Sequence, residues 1–180
     1  WLASWGMFLR RPSDLGFDDE GYVLPALDLR DIVVSTDAPL TGEFLFAGMG
    51  LGGIKGRLGA RRQSLKARVD ATVSLVEQTP GQWIVWCGLN DEQTAITAAL
   101  NGQCVSVAGS DEEHEKRDRV ESFLAGRARV LVTKPRIAGF GLNLQCCAQM
   151  AFVGLGDSYE AYYQAIRRCY RFGQTRPVAV

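Results

Sequence analysis

Short apolar runs alternate with helix-patterned segments over most of the chain, and this alternation constrains the fold more than any other feature. Trp83-Ile-Val-Trp-Cys87, Val105–Ala108, Val130–Thr133 and Ala151–Gly154 read as strands, the first apolar throughout, as a strand buried on both faces should be. From Gln63 to Gln78, Leu65, Val69, Val73 and Val76 recur at helical spacing before Pro80-Gly81 turns the chain. Asn90 with Gln93 resembles a capping box for a helix ending near Asn101-Gly102. Ser110 with Glu113 resembles a second, opening a helix through Val120, Phe123 and Leu124 to Gly126. Strand–helix alternation implies parallel strands joined by right-handed helical crossovers, hence an α/β fold, a three-layer α/β/α sandwich around a mainly parallel sheet. Ligands in such sheets lie beyond the carboxyl ends of the strands, where Gly88-Leu-Asn90, Gly109-Ser110 and Thr133 to Asn143 fall.

The flanks are less regular. Residues 1–28 carry turn formers in Arg11-Pro12-Ser13-Asp14 and Asp18-Asp19-Glu20-Gly21 and read as a helix remnant followed by a connector. Leu29 to Ser35 reads as a strand, 36–60 as a glycine-rich loop, and Pro177-Val-Ala-Val180 as the start of a last strand. The chain begins at Trp1 and is read as a piece of a longer protein.

Twenty basic residues balance twenty acidic ones, which excludes a histone-like polycation. Any nucleic-acid contact must come from local patches, and arginines cluster at Arg57/Arg61/Arg62/Arg68 and Arg167/Arg168/Arg171/Arg176. Five cysteines without a Cys-x-x-Cys pair point to free thiols and a cytoplasmic setting. No apolar run reaches membrane-spanning length, so no membrane partner is expected.

The strongest chemical signal is Gln164-Ala-Ile-Arg-Arg-Cys-Tyr-Arg-Phe-Gly-Gln174. Arg168 lies four residues after Gln164 and Arg171 seven, one stripe of a helix whose packing face holds Tyr159, Tyr162, Ile166 and Cys169. Paired guanidinium forks suit phosphate oxygens in geometry and charge, whereas a solvated arginine-rich face is the plain alternative. About twenty residues upstream, Gly139-Phe-Gly141-Leu-Asn143-Leu144 follows a strand. Its glycines let the backbone approach a ligand, and Asn143 can donate and accept hydrogen bonds.

Together these segments resemble motifs V and VI in the second RecA-like lobe of a superfamily 2 helicase or translocase, Swi/Snf-like in pattern. Trp83–Cys87 resembles the strand of motif IV. Gly109-Ser110 followed by Phe123, and Leu9-Arg10-Arg11 ahead of Leu24-Pro25, extend the likeness over nearly the whole chain. The resemblance implies ATP with Mg²⁺ held mainly by an N-terminal lobe, with residues 1–28 the end of that lobe and the connector, and 29–180 the C-terminal lobe. It implies Arg168 and Arg171 as arginine fingers, and Gln164, Gly141 and Asn143 as nucleotide-linked residues. Thr133, Lys134, Arg136, Gly109 and Ser110 would contact a nucleic acid, read as DNA. Lys134-Pro135-Arg136 stands where the family has Ser-Thr-Lys, with Thr133 as substitute hydroxyl. The short 41–62 segment favours a compact bacterial or phage type.

Gly48-Met-Gly50-Leu-Gly52-Gly53-Ile54-Lys55 imitates a nucleotide loop, but Ile54 stands at the lysine position and no Ser or Thr follows Lys55. It reads as a connector, and a dinucleotide-binding oxidoreductase would rest on it alone. His114, among acidic residues at a helix start, reads as a solvated face, and Cys146-Cys147 as core. A RecA-like module without catalysis that docks nucleic acid or a protein stays open beside the motor.

Overall fold

The computed structural model describes residues 9, 11–35, 59–137 and 142–180. After a 3₁₀ turn at Pro12–Leu15 come β1 (Leu27–Asp28), α1 (Leu65–Gln78), β2 (Trp83–Trp86), α2 (Asn90–Ala99), β3 (Cys104–Val107), α3 (Glu113–Leu124), β4 (Val130–Thr133), β5 (Gln149–Phe152), α4 (Tyr159–Ile166) and β6 (Val178–Ala179). The six strands form one sheet in the order β1-β6-β5-β2-β4-β3, and every pairing is parallel.

Because side chains of a strand alternate in direction, each central strand feeds two cores. Val85, Val130 and Val132 join Val69 and Val76 of α1 and Ile96 of α2 on one face. Ile84, Trp86, Leu131 and Met150 meet Val120 and Phe123 of α3 and Ile166 of α4 on the other. The result is the expected three-layer sandwich. Trp83 to Trp86 are at most 4% exposed, which explains the unbroken apolar run. Trp86 pairs in register with Thr133 and Phe152, and Val107 with Thr133, so β2, β3, β4 and β5 finish together at one edge.

Local details depart from the sequence reading. The first strand is Leu27–Asp28, not 29–35: backbone pairing runs only to Arg30, whose N–H reaches the Val180 carbonyl at 2.8 Å, and Ile32 and Val33 are exposed. The boundary drawn between 28 and 29 therefore falls at the end of a sheet strand. The loop expected over 36–60 lies outside the described residues up to position 58, along with the Gly48–Lys55 segment, while 59–63 are helical.

Neither capping box forms as expected. The helix after β2 has Leu89 as its N-cap, and the buried Glu92 carboxylate closes that end by accepting the N–H groups of Gly88 at 2.7 Å and Leu89 at 3.0 Å. Gln93 instead faces the sheet and donates to Ser106 Oγ and the Val107 carbonyl. The N-cap of α3 is Glu112, with no side-chain cap. Ser110 lies too far upstream for its hydroxyl to serve. Leu124 is 41% exposed, so the buried stripe of α3 ends at Phe123.

Candidate functional site

Helix α4 starts on Ser158, whose hydroxyl accepts the Ala161 N–H at 3.2 Å. It ends at Ile166, two residues before Arg168. Arg168 and Cys169 donate to carbonyls three residues back, and Arg171 donates to Cys169 two residues back. The straight stripe expected from Gln164 to Arg171 is thus corrected to a short helix followed by tight turns. Tyr159, expected to pack, is 75% exposed, while Ile166 and Cys169 are buried.

Tertiary bonds hold the turn that follows. The Arg168 carbonyl accepts the N–H of Leu144 at 3.1 Å. The Cys169 carbonyl accepts Gln174 Nε2 at 3.2 Å, so neither oxygen is left solely to a continuing helix. Gln174 is 6% exposed, and its Nε2 also faces the carbonyls of Gln145 at 3.2 Å and Cys147 at 3.1 Å. Its Oε1 accepts the N–H groups of Thr175 and Arg176, both at 3.1 Å. One buried carboxamide therefore fastens the 143–147 segment to the 168–176 turn.

A second tie runs through Gln145, which donates to the Phe172 carbonyl and accepts from Asn143 Nδ2 at 3.0 Å. Gly173 sits at φ +88°, and a Cβ there would lie 3.0 Å from the Gln145 amide, so both conformation and space favour glycine. Asn143, distant in sequence, is thereby linked through Gln145 to the arginine-bearing turn. Gly141 lies outside the described residues. Gln164 is exposed and donates to Glu160 at 3.3 Å, Arg168 is half-buried, and Arg171 is exposed.

At the carboxyl edge of the sheet, segments leaving β2, β3 and β4 emerge side by side. Lys134 donates to Asn90 Oδ1 there, Arg136 is exposed, and Gly109 and Ser110 form an exposed turn whose Gly109 carbonyl accepts Lys116 Nζ at 3.1 Å. Thr133 departs from its expected role. It has no accessible surface, and its hydroxyl donates to the Val107 carbonyl at 2.9 Å, so it bonds the sheet internally instead of presenting to a phosphate.

Sequence reasoning missed the buried cluster of Glu92, Arg61 and Arg68. Arg68 Nη1 reaches Glu92 Oε1 at 2.7 Å and the Val153 carbonyl at 2.5 Å, while Arg61 Nη2 reaches Glu92 at 3.1 Å. Burial pushes the Glu92 pKa upward. Bonds from the Leu89 N–H, Arg68 and the Gly88 N–H, with the Arg61 charge, outweigh it and hold the pKa below the usual carboxylate range. Gly154 lies against these groups, and a Cβ there would come within 2.7 Å of Arg61 Nη2, so any larger residue would have to displace the cluster's side-chain ends. A glutamate four residues past Gly88, the glycine that follows β2, was the available signal. Beside the cluster, burial raises the Cys87 thiol to about 12, with the Glu92 charge adding to it. Of the expected core pair, Cys147 is buried and Cys146 only partly so.

A parallel sheet with helices on both faces, and a 143–147 segment hydrogen-bonded to an arginine-bearing turn, define the class: a RecA-like lobe of the helicase C-terminal type. Residues 67–173, more than half of the chain, match the helicase conserved C-terminal domain family, and the chain belongs to that family. No curated protein matches the sequence. Among solved structures, the C-terminal part of the Fun30 ATPase domain is similar at a TM-score of 0.58 and 17% identity, over 63% of this chain and 39% of that one. The C-terminal domain of the DEAD-box protein Dbp5 is similar at a TM-score of 0.53 and 19% identity, over 62% of this chain and 67% of that one. Both likenesses concern the fold. The chain spans well under half of the Fun30 structure.

Proposed function

We propose that this lobe is the C-terminal half of an ATP-dependent nucleic-acid translocase or helicase, Swi/Snf-like and of a compact bacterial or phage type, working on DNA in the cytoplasm. In this reading residues before the sheet connect to an N-terminal lobe, which holds most of the ATP and Mg²⁺. The observation that carries the reading is the bonding of the Leu144–Gln145 segment to the Arg168–Gln174 turn through Gln174. It sets an exposed and a half-buried arginine on a turn that five hydrogen bonds from one buried side chain keep in place.

The residues present fit a polyphosphate: the two guanidinium groups offer forked donors, and the turn under them cannot relax without exposing carbonyls. Arg168 and Arg171 would stabilise charge that builds on the γ-phosphoryl group, and ATP would supply the bond that is broken. Gln164 would lie along the same nucleotide edge. Asn143 and Gly141 would report nucleotide state to the strand track. Lys134, Arg136, Gly109 and Ser110 would follow the nucleic-acid backbone, an electrostatic contact indifferent to sequence. The buried hydroxyl of Thr133 leaves Lys134 and Arg136 as the stronger part of that edge.

The test is steady-state ATP turnover by the two-lobe protein carrying Arg168→Ala or Arg171→Ala, with melts on the same samples. Each should lower turnover by roughly 10³–10⁵-fold, nearer the lower figure because two arginines share the role. Turnover near normal in both folded variants would remove the motor reading. Absence of turnover in the unmutated protein would favour a non-catalytic docking module.

A further inference from the structure

Helix α4 carries a feature that neither the core nor the proposed ATP edge uses. Tyr159 and Tyr163, one turn apart, are 75% and 48% exposed. Their rings stack with centroids 6.2 Å apart and planes 29° from parallel. The Arg167 guanidinium lies 5.7 Å from the Tyr163 centroid and 5.7 Å from that of Tyr170. An aromatic–cation row thus climbs the outer side of the helix, whereas the inner side is held by Tyr162 against Phe152, with centroids 4.9 Å apart, and by buried Ile166.

Helix stability does not account for this row. A spaced aromatic pair contributes only about 0.2–0.5 kcal/mol to a helix, and two large rings stay in water. Arg167 is exposed and makes no ion pair among the described residues, while its guanidinium lies over two ring faces. Four arginines against two acids between residues 157 and 176 make the surroundings electropositive. Stacked, accessible rings with a guanidinium beside them are the combination that holds single-stranded nucleic acid, with ring faces for bases and positive charge for the backbone.

We propose that Tyr159, Tyr163 and Arg167 form a stacking platform for unpaired bases of a single strand, separate from the Lys134–Arg136 edge. The rings would bind bases of any identity, and Arg167 would pair with a neighbouring phosphate while keeping its contact with Tyr163. This assignment does not depend on the arginine-finger reading, because it is tested without ATP.

The experiment measures fluorescence anisotropy of the whole protein with oligothymidylate and with an abasic oligomer of the same length and charge, without nucleotide. Tyr159→Ala and Tyr163→Ala should each weaken oligothymidylate binding by roughly 5- to 150-fold, the range for one lost stacking contact. The abasic oligomer should bind weakly to the unmutated protein and respond little to either variant. Tyr163→Phe should bind almost normally, since the ring face is retained. Ultraviolet crosslinking of iodouridine-substituted oligomer should mark Tyr159 or Tyr163 in digests. Equal binding of the two oligomers, or full affinity in folded alanine variants, would overturn the platform. So would protection of both tyrosines from nitration in the protein free of nucleic acid, since another protein surface would then cover them.

Discussion

The backbone N–H of Leu144 donates to the carbonyl of Arg168 at 3.1 Å, joining two segments separated by a strand and a helix. That bond gives the Arg168 carbonyl a partner outside the helix and holds the arginine-bearing turn that follows α4. Gln174 reinforces it from below through the carbonyls of Gln145, Cys147 and Cys169.

Gln174→Leu should therefore destabilise far more than a surface substitution. It keeps the bulk of the side chain but leaves buried carbonyls and two N–H groups without their partner, each costing about 1–3 kcal/mol when wholly unsatisfied. A loss of at least ~2 kcal/mol is expected in urea unfolding. Gln174→Glu should also destabilise, because its carboxylate would face three carbonyl oxygens. A loss within experimental scatter for both would mean that water replaces the clamp.

The Glu92 cluster predicts an acid limit. Glu92 has a depressed pKa when folded, so its stabilising share is complete above the unfolded carboxylate value of about 4.3 and is lost as pH falls through the folded value. Glu92→Ala should cost about 3–5 kcal/mol at neutral pH, because Arg61 and Arg68 lose their common partner. The difference between the two proteins should shrink toward acid. Denaturant melts from neutral pH down to pH 3 would check it, and a gap independent of pH would contradict the charged role.

Thiol accessibility offers a check on the sheet environment. Cys87, Cys147 and Cys169 are buried, and Cys87 is raised to about 12 by burial, whereas Cys104 and Cys146 are partly exposed. Ellman's reagent at pH 8 should label Cys104 and Cys146 first and Cys87 only on unfolding. Rapid labelling of Cys87 in the native protein, located by mass spectrometry, would place the end of β2 in solvent.

Core packing should respond independently of the arginine turn. Ile166→Ala, at the end of α4 against the sheet, should cost roughly 2–5 kcal/mol through the cavity it leaves. Arg171→Lys should melt almost like the unmutated protein, since Arg171 is exposed. It should nevertheless recover little ATP turnover, because an ammonium lacks the planar fork.

Periodicity was enough for the layers of this lobe. The runs at 83–87 and 130–133, with the spacing of Val69, Val76, Val120 and Phe123, specify buried parallel strands and one-sided helices, because burying an apolar face is a local demand that repeats with the backbone period. The pairing of Gly139–Leu144 with Gln164–Gln174 was legible as a motif, and the family match includes most of both segments. Where helix ends fall and what polar groups bond was decided by tertiary structure. Asn90 and Ser110 carry good capping chemistry, yet buried Glu92 closes one helix from inside and Glu112 begins the other. Thr133 bonds the Val107 carbonyl, and Leu144 and Gln174 bond the carbonyls of the turn that follows α4. A local pattern records which side of a segment avoids water. It does not record which distant donor will reach a given carbonyl, since that depends on segments brought together only when the sheet forms.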